Sequence, residues 1–133
     1  MKKVMVFGTF DSLHPGHLNF FKQAKRIGNY LIVVVARDVN VKKIKGQLPR
    51  FNEDKRLSML LAAEIADIAI LGQIRNPYAV IRKYRPAIIA LGYDQNSFTA
   101  DLKKQFPNVK IVRLKPYKPE IYKSSITNKK LKK

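Results

Sequence analysis

The two histidines of the chain lie three residues apart, in the segment His14-Pro15-Gly16-His17. The Pro-Gly pair between them is typical of a tight turn that opens a helix, so His17 is expected in the first helical turn. Backbone amides at a helix start are unpaired and carry partial positive charge, which suits a phosphate. Imidazole donors at that place could stabilise the charge that develops in phosphoryl-type transfer. The spacing therefore predicts a site for phosphate chemistry.

Other chemistry is less well matched by these residues. One isolated histidine is most often a satisfied surface or core group, but two histidines around a Pro-Gly turn are much less expected by chance. Asp11, His14 and His17 could be read as metal ligands, yet no further histidine and no cysteine completes a closed zinc site. Ser12 lacks the flanking glycines of a nucleophile elbow. The GxxxxGK[ST] and GxGxxG phosphate-binding patterns are absent from the sequence.

The charge balance points to anionic partners. The 133 residues include 27 Lys and Arg against 9 Asp and Glu, a net charge of +18. From Lys103 to Lys133 there are eleven basic residues and one acid, Glu120. Such a field attracts phosphates, nucleotides, nucleic acid or an acidic membrane surface, although a lysine-rich solvated surface would give the same count. A hydrophobic content of 46% supports one ordinary core and excludes a disordered chain.

Cysteine and hydropathy limit the remaining classes. The chain has no cysteine, which excludes disulfides, a thiolate zinc site and a cysteine nucleophile, and fits a reducing cytoplasm. No apolar run approaches the roughly 20 residues of a membrane helix. The basic start is followed by only four apolar residues before Gly8, too few for the core of a signal peptide. We expect a cytoplasmic protein without membrane insertion.

Apolar strand-sized runs alternate with helical segments along the chain. The strands are predicted at residues 4–7, 30–36, 67–71, 87–91 and 109–114. The helices are predicted at residues 17–27, 53–63, 77–83 and 99–106, with Thr99 as a cap, and a last one beginning at Ser124. Residues 37–51, with Gly46 and Pro49, are predicted to be a basic loop with at most one helical turn.

Two of these helices have inward faces that the sequence also predicts. The first should turn Leu18, Phe21, Ala24 and Ile27 towards the core, because they recur every three residues. The helix from residue 53 is expected to begin after an Asn52 cap and to bury its leucines. These leucines are Leu57, Leu60 and Leu61.

The alternation predicts an α/β fold, a Rossmann-like, doubly wound sheet of five parallel strands in a single domain over residues 1–133. Ligands of such sheets bind beyond the carboxyl ends of the strands, where the strand order reverses. We therefore expect residues 8–11, Arg37, residues 92–94 and Lys115 at one edge of the sheet.

The segment Gly8-Thr9-Phe10-Asp11, followed by His14-Pro15-Gly16-His17, resembles the HxGH signature of the cytidylyltransferase-like nucleotidyltransferases. This superfamily includes glycerol-3-phosphate cytidylyltransferase, phosphopantetheine adenylyltransferase and archaeal FAD synthase. Three further stretches are similar: Glu53-x-x-Arg56, residues 91–95 (LGYDQ) and residues 122–126 (YKSSI). The strings VARD and LGYDQ look most like archaeal FAD synthase.

The resemblance implies transfer of a nucleotidyl group from a nucleoside triphosphate to a phosphorylated acceptor, with release of pyrophosphate. It favours ATP and FMN; the alternatives are CTP, with a glycerol-3-phosphate cytidylyltransferase-like activity, or a non-catalytic nucleotide- or nucleic-acid-binding protein. It also implies Mg²⁺ as cofactor and a homodimer. Nucleic acid is disfavoured as a partner, because no RNA-binding or zinc signature accompanies the positive charge.

The resemblance also implies roles for individual residues. His14 and His17 would bind the nucleotide phosphates and stabilise the transition state, and Lys42 or Lys45 would act in catalysis by reaching the triphosphate or the incoming phosphate. Further nucleotide contacts are implied for Thr9, Phe10, Gly92, Asp94 and Ser124. Asp11 is implied as a Mg²⁺ ligand or as the group that orients the acceptor phosphate, and Arg56 as a phosphate ligand.

Overall fold

The computed structural model describes residues 2–92, 95 and 101–115, which form five strands and five helices. The strands are β1 (Lys3–Gly8), β2 (Tyr30–Val35), β3 (Ile68–Leu71), β4 (Ile88–Leu91) and β5 (Lys110–Arg113). The helices are α1 (Pro15–Arg26), α2 (Asp38–Lys45), α3 (Glu53–Ala62), α4 (Ala79–Tyr84) and α5 (Leu102–Gln105). Strands and helices alternate except between β2 and β3, where two helices follow each other. All five predicted strands are present.

The strands form one parallel sheet in the order β3-β2-β1-β4-β5. The chain runs from β1 outward to β3 and then returns to the other side of β1 with β4. The strand order therefore reverses between β1 and β4, which is where ligands bind in open α/β sheets. The predicted doubly wound parallel sheet is confirmed.

Two apolar layers cover the sheet, one on each face. Phe21 and Ala24 of α1 and Leu60 of α3 join the layer that contains Val4, Val6, Leu31 and Val33. Helices α4 and α5 contribute to the layer on the other face, with Val80, Ile81 and Leu102 against Met5 and Ile32. Alternate residues of each strand thus enter opposite layers, as the pleat of a strand requires.

Helix α2 corrects the prediction for residues 37–51, because eight of them, Asp38 to Lys45, are helical. Only Val41 of this helix is buried, so its sequence lacks the repeated apolar spacing by which a helix is recognised. The helix ends at Gly46, whose left-handed φ of 80° is favourable for glycine.

Helix starts and inward faces also differ in detail from the sequence prediction. Leu18 and Leu61 are not inward, since 42% and 56% of their surfaces are exposed. Helix α5 begins at Leu102 after Asp101, and Thr99 lies outside the described residues, as does the helix predicted from Ser124. The predicted cap at Asn52 is confirmed: its side chain accepts the N–H of Lys55 at 2.8 Å. Within the described residues, no helix is long and apolar enough to cross a membrane.

Candidate active site

The turn that follows β1 reverses the chain sharply at Phe10. This residue has a φ of 51°, in the left-handed region that few residues other than glycine adopt. The turn folds the Phe10 ring back over Gly8, where a Cβ atom would come within 2.5 Å of the ring. The ring is 6% exposed and packs against Phe21 at 5.1 Å between centroids. Gly8 is thus required by the close approach of Phe10, and the Phe10 side chain belongs to the core.

His14 caps helix α1. Its Nδ1 accepts the N–H of Gly16 at 3.0 Å, and Pro15 occupies the first helical position, where its missing N–H has no consequence. Because Nδ1 accepts this bond, the neutral imidazole carries its proton on Nε2. The cap therefore fixes the tautomer that presents Nε2–H as a donor.

His17 stacks on His14 with ring centroids 3.9 Å apart and an interplanar angle of 24°. Phe10 contacts the His17 ring edge-on at 5.6 Å. Burial lowers the pKa of His14, and burial together with the neighbouring His14 lowers the pKa of His17 to about 4. Both imidazoles are therefore neutral at neutral pH, and each can act as a hydrogen-bond donor without carrying charge.

Lys45 acts on His17 from the end of α2. Its positive charge contributes to the lowered pKa of His17, whereas a hydrogen bond with the backbone of Ser12 acts in the opposite direction. Nδ1 of His17 is buried, and no hydrogen bond to it is made within the described part of the chain. A buried polar atom of this kind is costly in a finished core and is characteristic of sites that receive a ligand.

The carboxylate of Asp11 is hydrogen-bonded to the loop that leads into α3. Its two carboxylate oxygens accept the backbone N–H groups of Arg50 at 2.6 Å and Phe51 at 2.8 Å. Among the described residues, no group of three or more histidine or acidic side chains could hold a metal ion. The described side chains therefore do not fit a magnesium site built by the protein around Asp11, which instead ties the turn after β1 to residues 50 and 51.

Arg56 is completely buried, with an exposure of 0%. Its guanidinium donates to the carbonyls of Thr9 at 2.8 Å and Phe51 at 3.0 Å and to Oδ1 of Asp38 at 2.7 Å. These bonds join α3, the start of α2 and the turn after β1. These contacts make Arg56 part of the framework of the site, and its predicted role as a phosphate ligand stays a prediction.

The starts of α2 and α3 cap each other. Oε1 of Glu53 accepts the N–H of Asp38 at 2.8 Å, and Oδ2 of Asp38 accepts the N–H of Glu53 at 3.2 Å. Arg37 adds an ion pair with Glu53 at 2.8 Å and donates from Nε to the carbonyl of Gly72 after β3. Acids at helix starts complement the helix dipole. The arrangement fixes α2 at its first residue.

A cavity of about 290 Å³ opens between α2 and the carboxyl ends of β1, β2 and β3. Its wall combines apolar side chains with a few polar and basic groups. The apolar ones are Phe7, Val34, Val41, Ile44, Ile74 and Pro77. The polar and basic ones are Arg37, Asn40, Lys43, Lys45, Gln73 and Gln95. Gly8 and Thr9 form the part of the wall that leads towards the histidine motif. A mostly apolar cavity with a few polar groups is typical of small-molecule sites.

A family model described as cytidylyltransferase-like matches residues 5–129. The chain belongs to this family. Two curated relatives named FAD synthase are similar: one from Methanothrix thermoacetophila, 42% identical over 90% of this chain and 85% of its own length, and one from Thermoplasma volcanium, 38% identical over 98% and 94%. The prediction that the chain is a nucleotidyltransferase is confirmed.

Solved structures support the same fold for this cytidylyltransferase-like chain. The crystal structure of a protein from Thermoplasma volcanium, named as a lipopolysaccharide core biosynthesis protein, has a TM-score of 0.81 at 39% identity and covers 88% of this chain and 98% of its own. Pantoate-beta-alanine ligase from Francisella tularensis matches at a TM-score of 0.55 and 17% identity, over 85% of this chain and 58% of its own, a likeness of fold alone.

The family framework brings only part of the predicted site together. The histidines, Thr9 and Lys45 lie around the carboxyl end of β1, while Lys42 is exposed on the last turn of α2 and is not part of the cavity wall. Gly92 follows β4. Asp94 and Ser124 lie outside the described residues, so their predicted nucleotide contacts remain predictions.

Sequence reasoning missed most of the cavity wall. Phe7 and Val34 belong to strands that were predicted as buried, and Ile44 belongs to the segment that was predicted as a loop. The available signal was the apolar pair Val41 and Ile44, three residues apart among lysines, which is the spacing of one helical face. The sequence marks Gln95 only as the last residue of the LGYDQ string.

Proposed function

We propose that this protein is an FMN adenylyltransferase, an FAD synthase that transfers the adenylyl group of ATP to FMN. The observation that carries the proposal is the mostly apolar cavity beside the stacked histidines. The names of the relatives at 38–42% identity support the same substrate pair. The cavity adds an argument that is independent of those names, since its wall suits a large apolar ring system.

The acceptor would lie in the cavity with its ring system against Phe7, Ile44 and Ile74. Its phosphate would point along Thr9 towards the histidines, where Lys45 contributes positive charge. Asn40 and Gln73 supply polar groups at the cavity wall for the edges of the ring. Glycerol 3-phosphate has no apolar part that would use this wall, so the cavity favours FMN over that acceptor.

In the proposed reaction an oxygen of the FMN phosphate attacks the α-phosphorus of ATP. A new P–O bond forms, the bond between the α-phosphorus and the bridging oxygen breaks, and the electron pair leaves with pyrophosphate. The attacking phosphate is already ionised at neutral pH, so no strong general base is needed. The protein's task is positioning and stabilisation of charge in the transferring group.

The two histidines suit this task because they are neutral and stack on each other. In the tautomer that the α1 cap fixes, His14 carries its proton on Nε2. Donors aligned before the reaction stabilise developing charge without reorganising during it. Positive charge is supplied separately by Lys45 and by the dipole at the start of α1.

Several further assignments belong to this proposal. Mg²⁺ is proposed as the cofactor; the described residues do not provide a protein-built site for it, and no step above depends on it. Binding of ATP would use Gly92, Asp94 and Ser124. A homodimer, a single domain and a cytoplasmic location are likewise proposed.

A pyrophosphate-release screen that crosses ATP and CTP with FMN, glycerol 3-phosphate and phosphopantetheine tests the proposal. We expect ATP with FMN to give the highest rate, with FAD as the product. His14→Ala and His17→Ala should each lower turnover by at least about 10², the size expected for one lost donor to a charged transition state. A preference for CTP, or for another acceptor, would overturn the substrate assignment.

A further inference from the structure

Strands β1 and β4 separate before they reach the cavity. Their pairing covers only Val4 with Ile88 and Met5 with Ile89. In contrast, β1 pairs with β2 through six residues, up to Gly8. The carboxyl halves of β1 and β4 thus lie apart at the point where the strand order reverses. The separation of β1 and β4 forms a crevice, and contacts across this crevice must set its width.

The side chain of Gln95 spans this gap. Its Nε2 donates to the carbonyl of Phe7 in β1 at 3.0 Å, and its Oε1 accepts the N–H of Gly92, which follows β4, at 3.2 Å. An amide side chain offers one donor group and one acceptor, like a peptide unit of the missing ladder. Gln95 thereby continues the β1–β4 connection after direct pairing has ended.

The backbone of Gln95 is held from the neighbouring strand β5. Nη1 of Arg113, at the end of β5, donates to the carbonyls of Gly92 at 2.7 Å and Gln95 at 2.9 Å. The backbone N–H of Gln95 also bonds to the Gly92 carbonyl at 3.2 Å. Because its backbone is fixed in this way, the Gln95 side chain can act as a spacer rather than follow the strands.

We propose that Gln95 is a positioning residue that sets the separation of β1 and β4 at the cavity and so determines how the acceptor is held. The inference rests on the proposed function for the identity of the acceptor. Gln95 and its partner Phe7 both form the cavity wall. A change in the gap would therefore move the wall against which the acceptor ring lies.

Gln95→Met removes both bonds at nearly the same side-chain length. Gln95→Glu keeps an acceptor for Gly92 but replaces the donor to Phe7 by an oxygen. The control is Gln23→Met, outside the cavity wall. Nε2 of Gln23 donates to the carbonyl of Lys115 at 2.8 Å and to Oδ1 of Asn19 at 2.7 Å, and its Oε1 accepts the N–H of Lys115 at 3.0 Å. Thermal unfolding shows whether each variant is folded, and it compares the stability lost by the Gln95 variants with that lost by Gln23→Met.

The first measurement needs no substrate: hydrogen exchange of the Gly92 amide, followed by NMR. Loss of one hydrogen bond should accelerate this exchange about fivefold or more in Gln95→Met. We expect no acceleration in Gln95→Glu, because the acceptor remains, and none in Gln23→Met. An unchanged exchange rate of the Gly92 amide in Gln95→Met would show that Gln95 does not bridge β1 and β4.

The second measurement is steady-state kinetics with FMN and ATP. Both Gln95 variants should raise the KM for FMN by about tenfold, as expected for an acceptor that has lost about 1.4 kcal/mol of binding. The KM for ATP and kcat should stay within about threefold. Equal effects of Gln95→Met and Gln23→Met would refute the positioning role.

The proposed function and this inference can fail separately. A wild-type enzyme that ignores FMN overturns the substrate assignment, and the KM comparison is then made with the acceptor that it does use. Hydrogen exchange of the Gly92 amide tests whether Gln95 bridges β1 and β4, whichever acceptor the enzyme uses.

Discussion

Replacing Arg56 by methionine should destabilise the protein by about 3 kcal/mol or more, because its guanidinium is fully buried and makes three hydrogen bonds of 2.7–3.0 Å. Removing one partner of a buried ion pair costs about 3–5 kcal/mol. Asp38 is 28% exposed and regains part of its hydration, which favours the lower end. Urea unfolding, followed by circular dichroism, measures the change in the free energy of unfolding.

Lys25→Met is the control for this prediction. Lys25 pairs with Asp67 at 3.7 Å, and the two side chains are 50% and 31% exposed, so its loss should cost less than about 1 kcal/mol. If Arg56→Met costs no more than Lys25→Met, the framework role is wrong. An unchanged stability with a raised KM for a phosphate substrate would instead restore Arg56 as a phosphate ligand.

Three further outcomes are expected. Since the folded pKa of His17 is about 4 against an ordinary 6.5, the folded protein should lose stability as pH falls from 6.5 to 4, by at most about 1.4 kcal/mol per pH unit, and urea titrations of His17→Asn should show a shallower slope. Lys45→Ala should lower kcat for pyrophosphate release more than Arg50→Ala, because Lys45 lies in the cavity wall and its charge acts on His17; equal effects of the two would contradict the assignment. Asn52→Ala should lower the free energy of unfolding by about 1 kcal/mol through loss of the α3 cap, and no change in urea unfolding would show that the cap contributes nothing.

The sheet could be predicted because its strands are recognisable locally. Each is an uninterrupted apolar run, and buried parallel strands need no partner to be identified. The reversed order at β1 and β4 follows from the way such units wind. The histidine motif was equally local, because the Pro-Gly turn that shapes it lies within four residues.

The roles of Arg56 and α2 depend on contacts between distant parts of the chain. Asp38 begins α2 and is capped by Glu53, 15 residues later, a contact that no local pattern encodes. The family resemblance implies a phosphate-ligand role for Arg56, whereas its contacts with backbone carbonyls depend on the folded structure. The usable hint was its position four residues before buried Leu60, on the inward face of α3.

Because α2 is held at its first residue, a rotation of this helix about that residue would displace its far end most. Its first residue, Asp38, is held by Glu53 and Arg56, Asn40 donates to the carbonyl of Gln73, and the helix ends at Gly46, where the backbone changes direction. The eight residues of α2 span about 12 Å, so a tilt of about 10° about Asp38 would move the last residue of the helix by about 2 Å. Such a tilt would move the charge of Lys45 relative to the rest of the cavity wall.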